Sequence, residues 1–164
     1  MWEFIKDAPR NIKYGTQNII AWFYVIWNDR DWDQWFLYKI IQFKLKQMEQ
    51  LQRKYGNSIN SNDYADQMKL CINLLGRLIE DDYLNNALEP HEKKWGESKF
   101  TFTPLPDSDL STLNIEVEKA QTEKEKKQEN KERMIIYNRT DELRKQDLDM
   151  LFKNMRKYCE GWWD

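Results

Sequence analysis

The chain has little of what catalytic centres are usually built from. It contains one histidine, His91, so a metal centre with several histidines is impossible within a single copy. Its five glycines stand singly, which excludes a glycine-rich phosphate-binding loop. No serine or cysteine motif marks a nucleophile. The two cysteines, Cys71 and Cys159, are too few for a disulfide framework, and Cys71 falls in an apolar helical pattern where a thiol behaves as a small hydrophobe. Long apolar runs are missing too. The longest, Ile19 to Trp27, has nine residues, too short to cross a membrane. It is followed by Asn28-Asp29-Arg30-Asp31-Trp32-Asp33 and not by small residues that a signal peptidase would cut, so a cytosolic location is expected and the Asn138-Arg139-Thr140 acceptor triplet carries no consequence. Charge of one sign is lacking as well: 26 basic against 28 acidic residues leave −2, which gives no broad reason to bind duplex nucleic acid.

What is present is helical periodicity and a heavy aromatic load. Between Asn11 and Trp27, Ile12, Ile19, Ile20, Trp22, Phe23, Val25 and Ile26 predict a helix buried on most of its circumference. After a cap at Asp29 or Asp31, Leu37, Ile41, Leu45, Met48, Leu51 and Tyr55 recur at three and four, and Gly56 stops the helix. A third helix, capped by Asn60 or Ser61, carries Ala65, Met68, Ile72, Leu75, Leu78 and Ile79 and is expected to end between Tyr83 and Ala87, ahead of Pro90. These two should form an antiparallel hairpin. Phe100-Thr101-Phe102-Thr103-Pro104-Leu105-Pro106 breaks the helical period and reads as an extended arm.

From Glu116 to Arg133 charges dominate, so no face is expected to bury, although Glu123 with Lys127 and Glu129 with Arg133 are favourable helical pairs. Leu148, Leu151, Phe152, Met155 and Cys159 restore a stripe in the last helix. The expected architecture is therefore an all-α helical bundle, with a helical core over 1–96, an arm or linker over 97–115, a charged solvated helix over 116–139, and a C-terminal helix over 140–164 that packs on the core or on a neighbouring subunit.

Eight tryptophans, eight tyrosines and seven phenylalanines are more than a bundle this small can enclose at its centre, so some rings should lie at a surface covered by another molecule. Trp162-Trp163 lie where a chain frays unless tied down. The candidate ligand-binding set is Trp27, Trp32, Trp35, Trp95, Trp162 and Trp163 for stacking a planar group, with Arg30, Arg77 and Lys94 to hold phosphate or carboxylate oxygens. A capped turn is the plainer account of residues 28–33. Asp31, Asp33, Glu80, Asp81 and Asp82 offer hard oxygen ligands for magnesium, although carboxylates at a helix C-terminus oppose the helix dipole. His91, in Pro90-His91-Glu92-Lys93-Lys94, reads as part of an exposed turn, with general acid or base work as its alternative.

The runs Ile26-Trp27-Asn28-Asp29-Arg30-Asp31-Trp32-Asp33, Phe36-Leu37-Tyr38 and Arg77-Leu78-Ile79-Glu80-Asp81-Asp82-Tyr83, the Lys94-Trp95-Gly96 turn, and Leu151-Phe152-Lys153 through Trp162-Trp163-Asp164 resemble a family of small proteins encoded by tailed bacteriophages. The resemblance spans most of the chain outside the charged stretch. It transfers no catalytic residue, and it implies a protein acting in the cytoplasm of an infected bacterial host. By analogy of class it is similar to the anti-defence sponges, oligomers that enclose nucleotide-derived immune signals. The expected function is a homo-oligomer that sequesters a nucleotide-like ligand without cofactor or turnover. The alternatives are a module that blocks a host protein through an aromatic patch such as Trp162 and Trp163, and a metal-dependent phosphohydrolase. No membrane partner is expected.

Overall fold

The computed structural model describes residues 2–27, 34–56, 58–106 and 109–163, with the backbone alone at 2–6, 34 and 163. Helix dominates: α1 (Trp2–Ile26), α2 (Gln34–Tyr55), α3 (Ser61–Glu80), α4 (Tyr83–Trp95) and α5 (Glu123–Tyr158), with a short 3-10 turn over Cys159–Trp163. Between α4 and α5 the strands β1 (Ser98–Pro104) and β2 (Ser111–Val117) pair antiparallel. The chain divides into two compact units, Met1–Ile79 with Met150–Asp164, and Glu80–Asp149.

In the first unit, α2 and α3 run antiparallel. Gln42 Nε2 donates to the carbonyl of Ile72 at 3.1 Å near one end, and Arg53 meets Asp66 at 2.8 Å near the other. The turn between them needs a glycine. A Cβ at Gly56 would lie 2.4 Å from both the Gln52 carbonyl oxygen and Ser61 Cβ, and the Gly56 N–H closes the helix on that same carbonyl. Ala65, Met68, Cys71, Ile72, Leu75 and Leu78 recur at three and four, and all are buried with Leu74, with Leu45 of α2, and with Leu151 and Trp162 from the chain's last segment. Each such aliphatic side chain stabilises by roughly 1.5–3 kcal/mol through loss of contact with water. Trp162 is fixed twice, donating from Nε1 to Gln67 and accepting from Gln52 at its carbonyl, each at 3.0 Å.

α1 departs from the expected burial. Its Trp22 packs edge-on against Phe43 at 4.7 Å. Yet Ile12, Ile19, Ile20, Phe23, Tyr24, Ile26 and Trp27 are all exposed, as are Leu37, Leu51 and Tyr55 along the α2 stripe. Hydrophobic spacing correctly marks a helix, but it does not say which chain covers it.

The second unit corrects three expectations. α4 continues through Pro90 to Trp95, although an interior proline removes a backbone hydrogen bond and costs about 3 kcal/mol or more; His91 and Trp95, both buried beyond it, anchor the last turn. The extended arm is a hairpin. Phe100 opposes Ile115 and Phe102 opposes Leu113, and Glu116 and Val117, expected to open a charged helix, close its second strand. The charged stretch is the first part of one continuous 36-residue α5, and Glu129 and Arg133 on it are buried. Thr122 and Glu125 start that helix as a reciprocal box: Thr122 Oγ1 accepts from the Glu125 N–H, while Glu125 Oε2 accepts from the N–H groups of Gln121 and Thr122. Hydrogen bonds to that carboxylate from the Thr122 N–H, then from the Thr122 hydroxyl and the Gln121 N–H, lower the Glu125 pKa.

Candidate functional site

The residues singled out for chemistry fall in different places. Arg30, Trp32, Asp31 and Asp33 lie outside the described residues, as does the Trp163 side chain. Trp27, Trp35, Arg77 and Trp162 belong to the first unit, and Lys94 and Trp95 to the second. Trp27 is exposed, its ring 4.8 Å from that of Phe23. Trp35 is half-buried, Arg77 is exposed, and each has a partner within the structure. Trp162 is 3% exposed, which corrects its place in an exposed aromatic patch: its indole N–H is bound to Gln67, and its side chain borders an apolar trough with Leu45, Met48 and Met155.

Lys94 and Trp95 come together, but on an internal carboxylate. Lys94 Nζ reaches both Glu132 oxygens at 2.7 and 2.8 Å, Trp95 Nε1 donates to Oε2 at 2.8 Å, and Gln128 adds a third donor. These bonds, the one from Lys94 first, hold the Glu132 carboxyl at a pKa of about 2. A ligand phosphate would have to displace that carboxylate to use the same donors.

The Glu80-Asp81-Asp82 run sits at a junction between helices. Asp81 has φ of 51°, in the left-handed region that aspartate tolerates better than most residues, and it pairs with Arg144 at 3.1 Å. Asp82 immediately precedes α4, where negative charge is favoured by the dipole, so the cost expected of a helix C-terminus falls on Glu80, the last residue of α3, and not on Asp82. Among the described residues no three His, Cys, Asp or Glu side chains gather as a metal site. Tyr83 donates to Asp147 across the same corner at 2.6 Å.

A cluster the sequence did not announce lies on α4 and α5. His91 is 8% exposed, inside the protein and not on an exposed turn. Its Nε2 faces Glu129 Oε1 at 3.0 Å, and Glu129 Oε2 accepts from Arg133 Nη2 at 3.1 Å. The other terminal nitrogen of Arg133, Nη1, is buried without a hydrogen-bond partner among the described residues. A buried donor left in that state costs roughly 1–3 kcal/mol, more for a charged group. Arg133 also lines two cavities. One of about 300 Å³ is bordered by His91, Ser98, Phe100 and Tyr137; the other, of about 720 Å³, lies along β2 and the start of α5. The i, i+4 spacing of Glu129 and Arg133 was visible in the sequence, but their burial was not, because it depends on the hairpin and on α4.

No known protein family, curated protein or solved structure matches the chain. Function must therefore be argued from its own surfaces. Two stand out: the cavities around Arg133, and in the first unit an apolar trough of about 340 Å³ walled by Trp22, Ile40, Ile41, Met48 and Met155. Among the described residues no helix is long and apolar enough to cross a membrane.

Proposed function

We propose that the chain is a phage-encoded, homo-oligomeric binding protein of the host cytoplasm that sequesters a nucleotide-derived signalling molecule and does not turn it over. The observation that carries the reading is α1. From Tyr14 to Trp27 it has no charged residue, and Ile19, Ile20, Tyr24 and Trp27 are 69%, 71%, 84% and 68% exposed. A contiguous apolar surface of this kind marks an interface. A second copy suits it because a surface without charge meets itself with no like-charge repulsion, as a self-complementary two-fold contact requires. Tyrosine and tryptophan supply the large apolar area with a polar handle that interfaces favour. The cavities of the second unit, with volumes in the range of small-molecule sites, support the ligand half of the reading.

Light scattering after gel filtration should give a mass that is a multiple of 20.2 kDa, and Ile20→Glu with Tyr24→Glu should yield the monomer. A thermal-shift panel of cyclic and ADP-ribose-type nucleotides, with and without magnesium, should raise the melting temperature for at least one member, with the intact compound recovered on denaturation. A monomer that ignores every nucleotide would overturn the proposal, and a cleaved product would replace it with an enzyme. The second reading, a module that blocks a host protein, is favoured by exposed Phe100, Phe102 and Leu113 on the hairpin; it predicts capture of one host protein that Phe102→Ser abolishes.

A further inference from the structure

We infer that the cavity along β2 and the N-terminal part of α5 is the ligand site, and that it holds the phosphate groups of an anionic small molecule. The inference deepens the sequestering reading and rests on it only for the ligand's class. The cavity is an open groove of about 720 Å³, room for a nucleotide-sized molecule. Its donors come mostly from one helix. Lys126, Asn130 and Arg133 of α5 line it at i, i+4 and i+7, one stripe of the helix, and Lys127 borders it beside them.

Arg133 supplies the independent sign of a ligand. It is 7% exposed, Glu129 occupies Nη2, and Nη1 has no acceptor among the described residues. A guanidinium presents its donors in a fixed fork suited to phosphate. Here one arm of the fork is taken by a carboxylate, and among the described residues nothing takes the other. Nη1 is closed to solvent, so a phosphate reaches it only if the guanidinium shifts toward the cavity; that shift strains the Nη2 bond to Glu129, while Nη1 has no bond to lose among the described residues.

Two carboxylates also line the space. Glu129 is balanced by Arg133, and Glu116 stands opposite Lys99 in the strand register, which leaves the lysines of α5 as the charges a phosphate would meet. Among the described residues the Lys126 ammonium has a single, 3.5 Å contact, with Glu123, both side chains being exposed, and that contact is worth little.

The test uses the full chain, with inorganic pyrophosphate and ADP-ribose as probes in calorimetric titration. Both should bind the wild type. The double variant Lys126→Gln, Lys127→Gln and the single variant Arg133→Lys should each bind about tenfold to a hundredfold more weakly, as expected for lost charge-assisted hydrogen bonds. The lysines are exposed, so the double variant should fold and decides the matter even if Arg133→Lys does not. If ADP-ribose binds the wild type and the lysine variant equally, this site is wrong while sequestration stands. If pyrophosphate binds through the lysines and no nucleotide binds at all, the site stands and the nucleotide reading falls. If neither probe binds the wild type, both are overturned.

Discussion

Glu132 is the residue at which acid should act most visibly. Donors from Lys94, Trp95 and Gln128 lower its pKa from 4.5 to about 2 in the folded chain. A carboxyl with a depressed folded pKa contributes stability that is present above its unfolded value and is lost as pH falls through the folded one. The window is therefore about pH 4.5 down to about 2. Glu132→Gln should melt at a lower temperature than the wild type at pH 7, and the gap should narrow across that window in circular-dichroism melts. Cys71 makes a second prediction. Burial raises its thiol pKa to about 11, and thiolate is the reactive form. At pH 8 a disulfide reagent should label Cys159, which is half-buried, and reach Cys71 only after denaturant is added. Glu129→Ala should cost about 3–5 kcal/mol in urea unfolding, because it strands the Arg133 cation inside the protein.

Among the elements, α3 holds the first unit together. Leu75 is fully buried, and Leu75→Ala should lower stability by about 2–5 kcal/mol. Ile59→Ala, at a side chain wholly exposed, should change it little, and equilibrium urea melts separate the two. The stripes of α2 and α3 could be read from the sequence because spacing at three and four and the glycine stop agree there. Yet α3 ends at Glu80, short of the expected Tyr83 to Ala87; Asp81 turns into the left-handed region and α4 begins anew at Tyr83. α4 could not: Pro90 argues for an end, and only the burial of His91 and Trp95 beyond it carries the helix on. The strand Ser111–Val117 alternates polar and apolar residues plainly enough, but its Glu116 merged with the charged run that follows. The start of α5 was written as Thr122-Glu123-Lys124-Glu125, a capping box that local spacing alone would have located. The cluster around Arg133 was only half legible, since helical spacing pairs Glu129 with Arg133 but no period predicts that a charged pair lies inside. Of the expected ligand residues, Trp95 and Trp162 have their ring nitrogens bound to Glu132 and Gln67. Inward-facing tryptophans and outward-facing ones share the same helical spacing, so the sequence alone could not sort them.

For the whole molecule the decisive feature is where apolar surface remains in contact with water. Much of it lies along α1, on the ends of the α2 stripe and on the hairpin, with Met134, Ile135 and Phe152 of α5 adding to it. The proposal made for α1 predicts a melting temperature that climbs with protein concentration, as mass action requires of a folded oligomer, and a scan from micromolar to millimolar checks it. The fourteen positions from Tyr14 to Trp27 hold neither acid nor base, and this sets the conditions under which any complex on that helix persists. Coulomb attraction has nothing there to screen, so raising sodium chloride should leave the complex intact, and sulfate should tighten it. Chilling should loosen it, since the water-driven force weakens toward freezing; a complex found at room temperature can come apart in the cold room.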